Sequence, residues 1–313
     1  RLFFDHNYSL RMAASLLSDA FRSSARFLNN YSSWTGIAAE KLEEGRASLS
    51  GASFSSGSAS DYVNVLTSIQ GGQSDAFSFF PDCSAWVSTL TLRSYSDYSK
   101  AYRTYLDASG GLKDHKYFSA VKRRTYGSNP ESWADSIGIR EVAVGGIPVG
   151  DSLSRAVALR VSNPSSKLVF SGDVDMRKYA GEILPSKYAS YPGLLLGSLF
   201  VPSDTLALIT GGWVVFGNEE ALSLFRRGKE YRSVTDFITE CGVSDIFRKD
   251  GAVFTSYFAM TGDRAVSYFS ESLAANAVKA VSGITFSPVV FSLYPGPEHK
   301  FRLDVERVRS SFA

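Results

Sequence analysis

LALIT and WVVFG, two apolar runs within 206–217, are separated only by Gly211 and Gly212. A link that short reverses the chain, because glycines supply the positive φ angles that a tight hairpin needs. Related arrangements recur. REVAVGG (140–146) and RAVALRV (155–161) are joined by IPVGDSLS, and ITFSPVVFSLY (284–294) reaches HKFRLDVERV (299–308) through PGPE. In the last segment Phe301, Leu303 and Val305 alternate with Lys300, Arg302, Asp304 and Glu306, the period of a strand with one dry face. Strands that follow one another through short turns pair antiparallel, whereas parallel neighbours need a long crossover.

Around these hairpins, AWVSTLTL (85–92), AVFTSYFAM (252–260) and KLVFSGDV (167–174) read as strands, and ASLSGASF (47–54) as a strand interrupted by Gly51. Helical spacing predicts helices over 7–29, from Ser60 and Asp61 to Ile69, over 98–108 capped by Asp97, from Asn218 to about Arg227, over 233–243 and over 263–281. The polar segment 113–138 has no clear period, and 176–198 is irregular. The expected class is α+β, mainly antiparallel sheets packed with amphipathic helices. PDCSAWVS (81–88) and PSDTLALI (202–209) each run from proline through polar residues into a strand. That echo suggests two duplicated α+β units, 1–165 and 166–313, with one continuous domain as the alternative.

The chain of 313 residues, 44% hydrophobic and 13% aromatic, can bury a sizeable core. Its net charge of +2 gives no global field toward nucleic acid or an anionic membrane, so no nucleic-acid partner is expected. Lys122, Arg123 and Arg124 form the densest basic run, with Arg226, Arg227 and Lys229 as a second. Each reads as a solvated face, or alternatively as a patch for phosphate or acidic lipid. Cys83 and Cys241 lie outside any CxxC, and are either two buried thiols or one long-range disulfide. No run of 18 apolar residues occurs.

The sequence offers little chemistry. His6, His115 and His299 are the only histidines, and each is expected in an exposed loop. There is no GxSxG, and SAVK (119–122) matches SxxK without the companion S-D-N or K-T-G elements. Asp173 and Asp175 lack the further ligands of a calcium loop. No metal, cofactor or catalytic residue is therefore assigned, although carboxylates converging from distant segments would be invisible in sequence. Trp34, Trp86 and Trp213 are expected in the core. Trp133 lies in the polar stretch GSNPESWADS. With Lys122, Arg123, Arg124 and Tyr126 it forms the candidate binding surface, for a glycan or a protein. Alternatively Trp133 anchors its own loop. As a loop residue, its replacement by alanine is expected to cost little stability.

A family likeness runs through WTGIAAEKLEEGRASLSGASF (34–54), the stretch 60–106 and GWVVFGNEEALSLFRRGKEYRSVTDFITECGVSDIFRKDGAVFTSYFAM (212–260). The order is a tryptophan, an acidic stretch, a strand, a Pro-led strand and a Tyr-rich helix, then FGN, two helices and a strand. In this the chain resembles a family of Bacteroidetes membrane- or lipid-anchored envelope proteins known only as a domain of unknown function. The resemblance implies a periplasmic or cell-surface location and an anchor outside this sequence. It implies no reaction. The expected function is thus non-enzymatic binding of an envelope protein or a cell-surface polymer. The alternatives are a glycan or peptidoglycan hydrolase and a lipid carrier.

Overall fold

The structure, a computed structural model, describes residues 2–6, 30–43, 46–171, 181–240, 251–259, 288–296 and 300–308. Among them are twelve strands: β1 (Leu2–Asp5), β2 (Trp34–Glu43), β3 (Arg46–Phe54), β4 (Trp86–Thr91), β5 (Ile139–Val149), β6 (Ser152–Val161), β7 (Leu184–Pro185), β8 (Leu206–Thr210), β9 (Trp213–Gly217), β10 (Phe254–Phe258), β11 (Val289–Pro295) and β12 (Lys300–Val308). The helices are α1 (Val63–Thr67), α2 (Ala76–Phe79), α3 (Tyr95–Ala108), α4 (Leu112–Tyr126), α5 (Pro130–Ile137), α6 (Tyr191–Leu196), α7 (Glu219–Arg227) and α8 (Val234–Glu240). The protein is α+β. All twelve strands join one sheet in the order β1-β2-β3-β12-β11-β10-β4-β5-β6-β9-β8-β7, and every pairing is antiparallel.

The register contains a repeat. Across β4, β5, β6, β9 and β8 the paired residues are Ser88, Val144, Val157, Phe216 and Ala207. Across β10, β11, β12, β3 and β2 they are Ser256, Phe291, Val305, Leu49 and Ala39. The two series meet where Ser88 pairs with Ser256, and their hydroxyls lie 2.7 Å apart. The six strands β1–β6 are therefore repeated in topology by β7–β12, about an approximate two-fold axis between β4 and β10. The repeats interleave, because β3 pairs with β12, β4 with β10 and β6 with β9. Residues on either side of 165/166 thus share one sheet. The repeat matches β4 to β10 and not to β8, which corrects the correspondence suggested by PDCSAWVS and PSDTLALI.

Both faces of the sheet are covered at its centre, from β4 to β9, which is why those strands are apolar almost without break. On one face Val144, Val157, Leu159 and Phe216 pack with α1, α3, α5 and α6. On the other, Ala143, Ala156, Ala158 and Val215 pack with α2, α7 and α8. The small residues on the second face let the helices approach closely. A Cβ on Gly145 would meet the Phe80 ring at 2.5 Å.

Local signals account for several elements. Gly211 and Gly212, at φ 57° and 81°, turn the β8–β9 hairpin. Asn218 caps α7 by accepting from the Ala221 N–H at 3.0 Å. Other expectations change. The N-cap of α3 is Ser94, whose Oγ accepts from the Asp97 N–H at 3.3 Å, so Asp97 lies in the first turn. The polar stretch from 113 forms α4 and α5. Both end at glycines in the left-handed region, Gly127 and Gly138 at φ 69° and 68°. Ser166–Leu168 is a 3₁₀ turn where a strand was expected. Trp34 is 48% exposed and is not core, unlike Trp86 and Trp213. The expected helices over 7–29 and 263–281, the side-chain alternation in β12, Cys241, His299, Asp173 and Asp175 fall outside the described residues.

A register shift between Ile139 and Glu141 accompanies a buried carboxylate on β5. Glu141 Oε1 accepts from Thr89 Oγ1 at 2.7 Å, from the Ala76 N–H at 3.3 Å and from Ser74 Oγ, while Oε2 accepts from the Asp75 N–H at 3.1 Å. It thereby satisfies the start of α2 and ties that helix to the sheet. Burial raises its pKa above the ordinary carboxylate value, against the opposing pull of these hydrogen bonds. A folded-state pKa above the unfolded one means that the fold holds the proton more tightly. That stabilisation is complete below the unfolded pKa and is lost as pH rises through the raised value. Glu141→Ala is expected to destabilise by about 2 kcal/mol, because it removes the shared acceptor of the buried Thr89 hydroxyl and Ala76 N–H and unties the start of α2. The loss should be larger at about pH 5 than at about pH 8. Urea unfolding at both pH values reads the effect.

Candidate functional site

Helix α3 carries tyrosines at 95, 98, 102 and 105, a helical stripe that faces the sheet. Tyr98 is fully buried, and its hydroxyl donates to the Leu196 carbonyl at 2.8 Å. That commits the Tyr98 proton, so the Tyr62 hydroxyl, 3.0 Å away, donates to Tyr98. The rings continue outward, Tyr102 stacking on Tyr98 at 5.5 Å and on Tyr105 at 5.9 Å. Burial raises the pKa of Tyr62, Tyr98 and Tyr102, so all three remain neutral phenols.

Tyr62, Tyr102 and Tyr105 of this cluster form one wall of a cavity of about 470 Å³. Helix α4 closes one side through His115 and Phe118, and the segment 193–200 closes another with Leu194, Leu196 and Leu199. Leu90 and Phe254, from the paired strands β4 and β10, are also in the lining. The surface is chiefly leucine, phenylalanine and tyrosine, with Ser109, Asp114, His115 and Ser198 as its polar side chains. Phe118 is 52% exposed, so the cavity reaches the surface beside α4.

His115 is the one buried side chain of α4 and not the exposed loop residue expected. Its ring stands edge-on to Tyr102 at 6.4 Å, and Nε2 lies 3.6 Å from Glu131 Oε1. Glu131 also pairs with Arg103. The carboxylate orients the imidazole and gives the mostly apolar wall one polar anchor. His6, also expected in a loop, is half-buried, with Nε2 2.7 Å from Thr35 Oγ1.

Four of the five candidate binding residues lie in the last turns of α4 but do not share one face, since Arg124 stands about 160° around the helix from Lys122. Lys122 lies over the Tyr126 ring at 5.2 Å, and Arg123 and Arg124 are exposed in the last turn. Trp133 does not join them. It sits in α5 at 1% exposure, with Nε1–H donating to the Leu168 carbonyl at 2.6 Å. It stacks on Tyr188 at 5.7 Å and meets Tyr191 edge-on at 5.2 Å. The polar residues around it in sequence cap and face the outside of a short helix whose inner side is apolar.

The opposite face holds a second cavity of about 480 Å³, walled by Phe79, Phe80 and Phe225. Size does not separate the two. The second has Arg232 at its rim, already bound to Asp82 at 2.9 Å and to Glu240. Among the described residues no cluster of three or more His, Cys, Asp or Glu could hold a metal ion. No described helix is long and apolar enough to cross a membrane.

The cavity was missed in sequence because its lining comes from segments near 62, 90, 102–118, 193–200 and 254. The spacing of tyrosines in α3 was the one local signal. No protein-family model, curated protein or solved structure matches this chain.

Proposed function

We propose that this chain is a non-enzymatic binding protein that holds the apolar part of an amphiphile in the cavity beneath α4. The supporting observation is the lining, a continuous aromatic and leucine surface with a few polar groups, open at Phe118. Its volume of about 470 Å³ falls in the range of small-molecule sites. The resemblance to anchored envelope proteins adds an extracytoplasmic location to this reading, which cell fractionation tests.

A linear fatty acid series is the direct probe. Each further buried methylene should add about 0.8 kcal/mol, roughly fourfold in Kd, until the cavity is full. Ser109→Trp places an indole in that space and should abolish binding without lowering the melting temperature. Titration calorimetry that finds no saturable binding, or no dependence on chain length, refutes the proposal.

A second reading, binding of a cell-surface polymer, is favoured by an aromatic patch elsewhere. The registers Phe3 to Gly36 and Trp34 to Phe54 put Phe3, Trp34 and Phe54 on one face of β1–β3. They are 68%, 48% and 38% exposed. Stacking of sugar rings there would make Trp34→Ala weaken retention on insoluble glycans. Equal retention of both forms removes this reading.

A further inference from the structure

Helix α4 buries one side chain, His115, and leaves much of its surface exposed. It carries five cations, Lys113, Lys116, Lys122, Arg123 and Arg124, against one acid, Asp114. None of the five forms an ion pair with a described residue. Arg123 and Arg124 are accounted for in part by the helix dipole, which favours cations in the last turn. Lys113 is not, because it stands in the first turn, where the dipole disfavours a cation, and Lys116, beyond that turn, gains nothing from either end.

The same helix displays large apolar side chains. Tyr117 is 63% and Phe118 52% exposed, their rings 5.5 Å apart. At 100° per residue, Tyr117, Val121 and Phe118 form one strip, and Lys113, Lys116, Arg123 and Arg124 occupy the adjoining arc. Asp114 and Thr125 also fall within the strip, Asp114 in the first turn, where it lines the cavity. An aromatic strip beside a basic arc is the pattern of a helix that lies in the plane of a membrane interface. The near-zero net charge of the whole chain does not oppose this, since the attraction to an anionic surface is local over about 8–10 Å.

We infer that α4 seats the protein on an anionic lipid bilayer, with Tyr117 and Phe118 inserted among the headgroups and the basic arc against the lipid phosphates. Because Phe118 also lines the cavity, the seated helix brings the cavity mouth to the bilayer, the source of its amphiphile. That last step rests on the binding reading, whereas the docking itself does not.

The test is flotation of the full chain with phosphatidylcholine vesicles, with and without phosphatidylglycerol. Binding is expected only with phosphatidylglycerol, falling as salt rises. Replacing Lys113, Lys116, Arg123 and Arg124 one at a time by glutamine should weaken binding by about fivefold each. Tyr117→Ser and Phe118→Ser, on exposed positions, should each weaken it at constant salt. Ser109→Trp should leave flotation unchanged, so loss of cavity binding and loss of docking are read separately. The inference is overturned by absence of flotation, by equal flotation with neutral vesicles, or by binding that the glutamine variants retain. It is also overturned if removing charge weakens flotation while Tyr117→Ser and Phe118→Ser do not.

Discussion

Expressed separately, residues 1–165 and 166–313 should each fail to unfold cooperatively, and mixing them should restore one cooperative transition in a 1:1 complex. The reason lies in the sheet. Each repeat contributes two blocks of three strands, and the other repeat separates them. Cutting the chain removes the pairings of β3 with β12, β4 with β10 and β6 with β9 at once. It exposes three further strand edges in each half, and small sheets with open edges are marginal in water. The packing is divided as well, since Ala143, Ala156 and Ala158 from the first half lie against Leu222 and Phe225 of the second. A half that melts alone near the temperature of the whole protein would contradict the interleaved arrangement. Circular dichroism melts of the halves and their mixture decide it.

Trp133→Ala should cost about 4 kcal/mol, the loss for a large buried aromatic. The indole is 1% exposed and packs against Tyr188 and Tyr191. Its removal leaves a cavity where α5 meets α6 and takes the donor from the Leu168 carbonyl. Trp133→Phe keeps most of the packing and loses the hydrogen bond, so it should cost less, about 1–2 kcal/mol. Urea denaturation measures both. A loss below about 1 kcal/mol for the alanine variant would return Trp133 to the surface role that its polar neighbours suggest.

The contrast between Trp133 and Trp213 indicates what the sequence can reveal. Trp213 follows two turn glycines and alternates with Val215, so its strand and its burial are both local facts. Trp133 sits among Ser, Glu, Asp and Asn, and its apolar partners, Tyr188 and Tyr191, are more than fifty residues away. The caps were nevertheless present: Asn129 and Pro130 start α5, and Gly138 ends it. Helix α4 has no buried apolar face to find, because His115 is its one buried side chain and its short apolar strip, Tyr117, Phe118 and Val121, lies outside the core. Hairpins such as β8–β9 were legible for the opposite reason, since strand period and turn residues lie side by side.

Strand order was not legible. The β3–β12, β4–β10 and β6–β9 pairings join segments of generic strand composition far apart in sequence, and the serines at the axis, Ser88 and Ser256, carry no distinctive pattern. The cavity inherits that difficulty, because Leu90 and Phe254 come from the β4–β10 pair itself.

In the proposed function the cavity beneath α4 takes an apolar chain. Leucine methyl NMR with a spin-labelled fatty acid tests it most directly. Saturating ligand should broaden the methyls of Leu90, Leu106, Leu194 and Leu196, which line that cavity, and spare Leu208 and Leu222 on the opposite face of the sheet. Broadening of Leu208 and Leu222 instead, or of no leucine at all, would contradict it.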